Sequence, residues 1–237
     1  MEPIVSLAGV TRDYQQGEVV VRALRGVDLE FHRGEFTAVA GPSGSGKTTL
    51  LNVMSGLDQP TSGTVTVDGQ TVNGMSKSEM SRLRLHRIGF VFQAYNLLPV
   101  LTAYENAEYV LMMQNVPAAE RREKVMRLLA QVGLEGMEHR FPRELSGGQQ
   151  QRVAIARAMA SAPALVLADE PTANLDSTTS DELLELMVEL NQDKGMTFVF
   201  STHDRRVMRR ARRLVLLRDG TVEHDTTPDV LNGPESR

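Results

Sequence analysis

Gly41 to Thr49 reads GPSGSGKTT, and this stretch decides the fold. From Gly41 to Thr48 it fits G-x-x-x-x-G-K-[ST] without a mismatch. The apolar run FTAVA, Phe36–Ala40, precedes it and a helical pattern from Thr48 to Ser55 follows. Strand, glycine loop and helix in that order form a phosphate cradle. Gly41, Gly44 and Gly46 permit backbone paths that a side chain would block. The loop N–H groups and the helix N-terminus then face an anion. Lys47 supplies a point charge, and the Thr48 hydroxyl is the expected Mg²⁺ ligand of a nucleoside triphosphate site.

Outward from the cradle, more apolar runs recur: IGFVF at Ile88, ALVLAD at Ala164, MTFVFST at Met196 and RLVLLRDG at Arg213. Unbroken apolar runs point to strands buried on both faces. Helical patterns over Ala118–Val132, Gly148–Ser161 and Ser177–Lys194 separate most of them. The alternation predicts an α/β fold with a mainly parallel sheet covered by helices. GTVTVDGQTV and LVLLRDGTVEHD turn at Asp68-Gly69 and Asp219-Gly220, so both are expected as antiparallel hairpins at the edge of the main sheet. Residues 94–162 show helical patterns without a clear strand. They are read as a helical subdomain inserted into a core made of about 1–93 and 163–237, all within one domain spanning 1–237.

Composition narrows the class. The chain has 237 residues and a net charge of −4, so no basic excess points to nucleic acid. There are no cysteines, which excludes disulfides and thiolate metal sites. The amino end lacks the pattern of a secretory signal. No apolar run approaches the roughly 20 residues of a membrane span. A role at a membrane would need another chain to supply the spans.

Further residues belong to the cradle's chemistry. The strand ALVLAD should carry Asp169 to the carboxyl edge of the sheet, where it can hold Mg²⁺, and Glu170 follows, placed to orient an attacking water. Gln93 comes at the end of IGFVF. It is either a contact to metal or water or a plain surface amide. His203 ends FVFST and can donate a hydrogen bond toward a γ-phosphate. LSGGQ, Leu145–Gln149, is a second glycine-opened helix start. Ser146 is its N-cap, and no lysine accompanies it.

Taken together, GPSGSGKT, VFQ ending at Gln93, LSGGQ, LVLADE, NLDS from Asn174 and STHD around His203 resemble the nucleotide-binding subunits of ABC transporters. The resemblance covers nearly the whole chain. It implies a RecA-like P-loop NTPase core with an antiparallel β part and the inserted helices. It also implies an ATPase that uses ATP and Mg²⁺ and acts as a head-to-tail homodimer with two sandwiched ATP molecules. Gly41, Pro42, Ser43, Gly44, Ser45, Gly46, Lys47, Thr48 and Thr49 would cradle one ATP, with Tyr14 stacked on its adenine. Ser146, Gly147, Gly148 and Gln149 of the other copy would cap it, and Asp176 would also belong to the nucleotide site. Thr48, Gln93 and Asp169 would hold the metal, and Lys47, Glu170 and His203 would serve catalysis.

IGFVFQAYNLLPVLTAYENA, GEVVVRALRGVDLEF and DEPTANLDS are similar to the lipoprotein-releasing and macrolide-export ATPases and their relatives, among them the cell-division ATPase FtsE. Ala173 departs from the GNLD common in that group. Macrolide exporters continue into membrane spans, so an end at Arg237 implies a free-standing subunit bound to a separate permease. It would lie on the cytoplasmic side of the inner membrane, driving export or extraction of lipoprotein, peptide or drug. The alternative is force transmission without transport. The apolar stretch AYNLLPVLTAYENAEYVLMMQNV is read both as core and as a groove for a permease helix. Arg205, Arg206, Arg209, Arg210 and Arg213 are expected near one helical face, either solvated or facing an anionic surface.

Overall fold

The computed structural model describes residues 2–229. Two long strands, β1 (Val5–Gln16) and β2 (Val19–Phe31), form the first hairpin. β3 (Phe36–Ala40) leads through the glycine loop to α1 (Lys47–Ser55). Strands β4 (Ser62–Val67) and β5 (Gln70–Thr71) precede α2 (Lys77–Arg87) and β6 (Ile88–Val91). Three helices follow, α3 (Ala103–Met113), α4 (Ala118–Gln131) and α5 (Gly147–Ala160). The chain then runs β7 (Leu165–Asp169), α6 (Ser177–Lys194), β8 (Thr197–Thr202), α7 (Arg205–Arg210), β9 (Arg213–Arg218) and β10 (Thr221–Thr226).

The six-stranded sheet has the order β10-β9-β3-β8-β7-β6 and is parallel except for β10. It divides two apolar cores. On β3, Phe36, Ala38 and Ala40 face one core with Phe198, Phe200 and the α3–α6 helices, while Val39 faces the other with α1 and the antiparallel sheet. This is the period-two alternation of a strand buried on both sides, which explains the continuous apolar runs. Phe36 packs at ring-centroid distances of 5.7 Å from Phe198 and 4.8 Å from Phe200. Truncating a buried phenylalanine of this kind typically costs about 3–5 kcal/mol.

Two expectations are corrected. The Asp219-Gly220 hairpin does form the β9–β10 edge of the main sheet, but the Asp68-Gly69 hairpin does not. β4 pairs with β1 in a separate four-stranded sheet, β2-β1-β4-β5, because Val65 and Val67 are drawn into the second core. The arginine cluster does not share one helix face. α7 stops at Arg210, and Arg213 lies on β9, bonded to Glu35 and Asp225. Arg206 and Arg210 are engaged by Asp204 and Glu185.

β1 and β2 alternate only in part, cleanly over Val27–Phe31 at the end of β2. Register shifts between Leu7 and Val10 and between Arg12 and Asp13 interrupt it. α2 buries only Met80 and Leu83, so its apolar stripe is too thin to stand out. Its start is set by a reciprocal capping box between Ser76 and Glu79, repeated at Thr102–Glu105 for α3 and Ser146–Gln149 for α5.

Candidate functional site

The cradle hangs from the carboxyl end of β3 and ends at Gly46, the left-handed N-cap of α1 with φ 104°. A Cβ there would stand 2.5 Å from the Ala23 carbonyl, and one on Gly41 would stand 2.1 Å from the Leu217 carbonyl. Glycine at these two positions is a matter of space as well as conformation. Gly220 donates its N–H to the Ser45 carbonyl at 3.0 Å, bracing the loop from the β9–β10 turn. Pro42, Ser43 and Gly44 are exposed, and Thr49 is half-buried. The Lys47 ammonium folds back over the loop, donating to the carbonyls of Gly41 (2.9 Å) and Pro42 (3.1 Å). The Ser45 hydroxyl is buried with no hydrogen-bond partner.

Beside the cradle, the Thr48 hydroxyl donates to Asp169 Oδ1 at 3.1 Å. Asp169 ends β7 in register with Ser201 of β8, whose hydroxyl also donates to Oδ1. The Glu170 N–H donates to the Ser201 hydroxyl (3.0 Å) and carbonyl (3.2 Å). Glu170 itself is left-handed, with φ 46°. A non-glycine residue held there costs on the order of 1–3 kcal/mol. The Ser201 bonds hold this turn, which swings the carboxylate back over Lys47.

The Glu170 carboxylate lies 4.0 Å from Lys47 Nζ, and both its oxygens are 2.9 Å from His203 Nδ1. A carboxylate only accepts, so Nδ1 carries the proton in this contact. Nε2 of a neutral His203 is then an acceptor, and donation from Nε2 requires the imidazolium. Glu170 is 14% exposed and His203 64%. The result is a shielded carboxylate able to accept a proton from water, beneath a solvent-facing imidazole.

The implied groups fit what is present. An orphaned buried hydroxyl, a cradle that added Cβ atoms would fill and a lysine aimed into its own loop suit a polyphosphate. Thr48 and Asp169 are adjacent hard oxygen donors, the chemistry Mg²⁺ takes. Gln93 lies two residues beyond β6 and is exposed; its carbonyl accepts from the Asn174 side chain at 2.8 Å.

Ser146 caps α5 within its own chain, accepting from the Gln149 N–H at 3.3 Å, while the Gln149 side chain accepts from the Ser146 N–H at 2.9 Å. Both signature glycines are also used internally. A Cβ on Gly147 would lie 2.9 Å from the Tyr95 hydroxyl, and one on Gly148 would lie 2.3 Å from Thr179 Cγ2. Thr179 is bonded in turn to Asp176, the N-cap of α6, through its hydroxyl (2.7 Å) and N–H (3.1 Å). That hydroxyl bond leads the causes holding the Asp176 carboxyl below its ordinary pKa.

The loop after Gln93 carries consecutive left-handed residues, Tyr95 (φ 59°) and Asn96 (φ 49°). Arg157 of α5 donates to both their carbonyls, at 2.9 and 2.5 Å. Burial pushes its guanidinium pKa down. The Gln93 loop, the α5 start and the Asn174–Asp176 turn are thus joined inside one chain. Sequence reasoning missed Ser201, Tyr95, Arg157 and Thr179. Ser201 alone had a readable signal, as a hydroxyl at the end of an apolar strand beside His203. The others depend on contacts between distant segments.

Tyr14 is half-buried on β1, opposite Val21 of β2. Its hydroxyl donates to Asp58 at 2.6 Å, and the Arg12 guanidinium sits 4.5 Å from its ring centroid.

Fold and site define a P-loop nucleoside triphosphatase with a helical insertion that carries its own glycine-opened helix. The chain belongs to the ABC transporter family, whose model "ABC transporter" matches residues 24–173, and it is an ATPase of that family. It is 50% identical over 236 residues to the lipoprotein-releasing system ATP-binding protein LolD of Anaeromyxobacter dehalogenans, covering 99% of this chain and 96% of that one. It is 45% identical to the macrolide export ATP-binding/permease protein MacB of an Azoarcus strain over 98% of this chain, and spans 35% of that relative's length. Among solved structures, the dimeric MJ0796, a bacterial ABC transporter cassette, matches with a TM-score of 0.89 at 43% identity, covering 94% of this chain and 98% of that one. A post-hydrolysis state of MJ0796 bound to ADP and Pi matches with a TM-score of 0.88.

Proposed function

We propose that this chain is the energy-coupling subunit of a membrane transporter of the lipoprotein-releasing or macrolide-export kind. Two copies close head to tail around two ATP molecules and drive a separate permease from the cytoplasmic side. The substrate class is lipoprotein, peptide or drug-like. The observation that carries this reading is the convergence of Lys47, Thr48, Asp169, Glu170 and His203 at the carboxyl ends of β3, β7 and β8. Lys47 exchanges its two loop carbonyls for phosphate oxygens. Glu170 orients and polarises the attacking water, and His203 covers that carboxylate. Bound Mg²⁺ would neutralise phosphate charge, with Thr48 and Asp169 as its protein partners. Tyr14 provides the stacking surface for adenine.

The signature supports a site completed by a second copy. Among the described residues, no hydrogen bond joins 145–149 to 41–49, and Ser146 at the α5 N-terminus is exposed. The Gln93 loop reaches this N-terminus through Tyr95, whose hydroxyl a Cβ on Gly147 would meet at 2.9 Å, and Asn174 holds the Gln93 carbonyl. The apolar stretch after Gln93 divides into two uses. Ala103, Ala107 and Leu111 are core, whereas Leu98 (41%), Val100 (78%), Tyr109 (41%), Met112 (46%) and Met113 (52%) are exposed. These five form the surface offered to the permease. No helix among the described residues is long and apolar enough to cross a membrane.

The test is Glu170→Gln. It should slow hydrolysis by orders of magnitude while leaving an ATP-dependent dimer visible by sedimentation. A variant that stays monomeric in saturating ATP would refute the sandwich.

A further inference from the structure

Arg12, Tyr14 and Asp58 form a closed triangle at the rim of the first hairpin. The Tyr14 hydroxyl donates to Asp58 Oδ2 at 2.6 Å. Arg12 Nε donates to the same oxygen at 2.9 Å, and its Nη2 lies 2.8 Å from Oδ1, a two-point grip on the carboxylate. The guanidinium also covers the Tyr14 ring, 4.5 Å from its centroid. Each member therefore touches the other two. Arg12 and Asp58 are 23% and 21% exposed, so solvent screens this pair less than an open surface bridge. Burial works against the Arg12 charge, but Tyr14 and Asp58 more than offset it, and its pKa is raised.

Asp58 belongs to a different part of the site from Tyr14. It follows Gly56, the left-handed cap that stops α1, and its N–H donates back to the Asn52 carbonyl at 3.1 Å. Lys47 and Thr48 open that same helix. One end of α1 thus carries the phosphate chemistry and the other grips the aromatic residue.

We propose that Arg12 and Asp58 are positioning residues for the nucleotide base, holding the Tyr14 ring at a fixed angle with one face covered by Arg12 and the opposite face presented for stacking. The proposal rests on the reading of Tyr14 as the adenine contact and deepens it. A tyrosine on a hairpin strand would otherwise sample several rotamers and lose that freedom on binding. Fixing it beforehand removes the loss, an effect of roughly three- to tenfold in affinity. Val21 lies across the ladder from Tyr14 and is 40% exposed, giving the base an apolar flank.

The experiment compares two probes on the full chain: ATP, and inorganic tripolyphosphate, which has phosphates and no base. Binding is measured by calorimetry for the parent, Asp58→Asn, Arg12→Gln, Tyr14→Phe and Tyr14→Ala, with melting temperatures recorded. Asp58→Asn and Arg12→Gln should weaken ATP roughly three- to tenfold, raise KM and leave kcat unchanged, with tripolyphosphate binding unaltered. Tyr14→Phe keeps the ring and the Arg12–Asp58 pair intact, so it tests the clamp even if the other two fold poorly. It should weaken ATP about threefold and spare tripolyphosphate. Equal weakening of both probes would show a purely structural role and overturn the proposal. Unchanged ATP binding in Asp58→Asn, Arg12→Gln and Tyr14→Phe, with Tyr14→Ala impaired, would overturn the clamp and leave the stacking reading standing. Unchanged ATP binding in Tyr14→Ala would overturn both.

Discussion

Gly148→Ala probes how the signature helix is seated on its own chain. The new methyl would lie 2.3 Å from Thr179 Cγ2, so one of the two must move. Overpacking of this sort costs about 1–3 kcal/mol. Replacing a helical glycine by alanine returns up to about 1 kcal/mol in propensity. The net expectation is a loss of roughly 0–2 kcal/mol. Thr179→Ser removes Cγ2 but keeps the hydroxyl that bonds Asp176. The nearest Thr179 atoms to the methyl are then Cβ at 3.7 Å and the hydroxyl at 3.9 Å, ordinary contacts. In that background only the propensity gain remains, and Gly148→Ala should become neutral or stabilising. The cycle should therefore show a coupling of about 1–3 kcal/mol. The assay is urea unfolding of the four proteins without nucleotide, where 2 kcal/mol moves the midpoint by on the order of 1 M. Equal costs of Gly148→Ala in both backgrounds would refute the contact as the reason for glycine at 148.

Three further outcomes follow from the site. Lys47→Ala removes a charge-assisted donor and should weaken ATP binding about 10- to 100-fold by calorimetry; retained affinity would count against the cradle. Ser201→Ala removes the hydroxyl bonds to Asp169 and to the Glu170 N–H, leaving the backbone-carbonyl and Thr48 bonds, so kcat should fall roughly 10- to 100-fold with KM little changed. The Glu79 and Glu105 carboxyls are held below their ordinary pKa by capping bonds from Ser76 and Thr102, and Asp204 by its bond from Arg206. A depressed carboxyl contributes stability above its unfolded pKa and loses it as pH falls through the folded value. The urea midpoint should therefore drop below about pH 4, with Thr102→Val flattening part of that slope.

What the sequence made legible was local. The phosphate loop, the carboxylates after ALVLAD and the histidine after FVFST each follow a buried strand, and strand order alone brings their ends to one edge. The hairpin at Asp68-Gly69 was assigned to the wrong sheet because turn chemistry names a turn and not its neighbours. Val65 and Val67 settle the matter by packing against residues far away in the chain. The arginine run failed for a related reason. Helical spacing continues from Arg205 to Arg213, but Leu214, Val215 and Leu217 belong in the cores and pull that segment into β9. The internal use of Gly147 and Gly148 was hidden because a glycine does not show which neighbour requires it.

The bracing of the phosphate loop sets when the nucleotide site can first exist during synthesis. β3 lies between β8 and β9, Gly41 is fitted against Leu217, and the Ser45 carbonyl is held by Gly220. A nascent chain that has just exposed GPSGSGKTT has the Ala23 wall beside Gly46 but not the supports from Leu217 and Gly220, which arrive only with the last strands. Domains emerge amino end first at about 5–20 residues per second, so the loop waits on the order of ten seconds for its walls. A ribosome-bound fragment ending before β9 thus contains the P-loop sequence and lacks the Leu217 and Gly220 contacts that brace it.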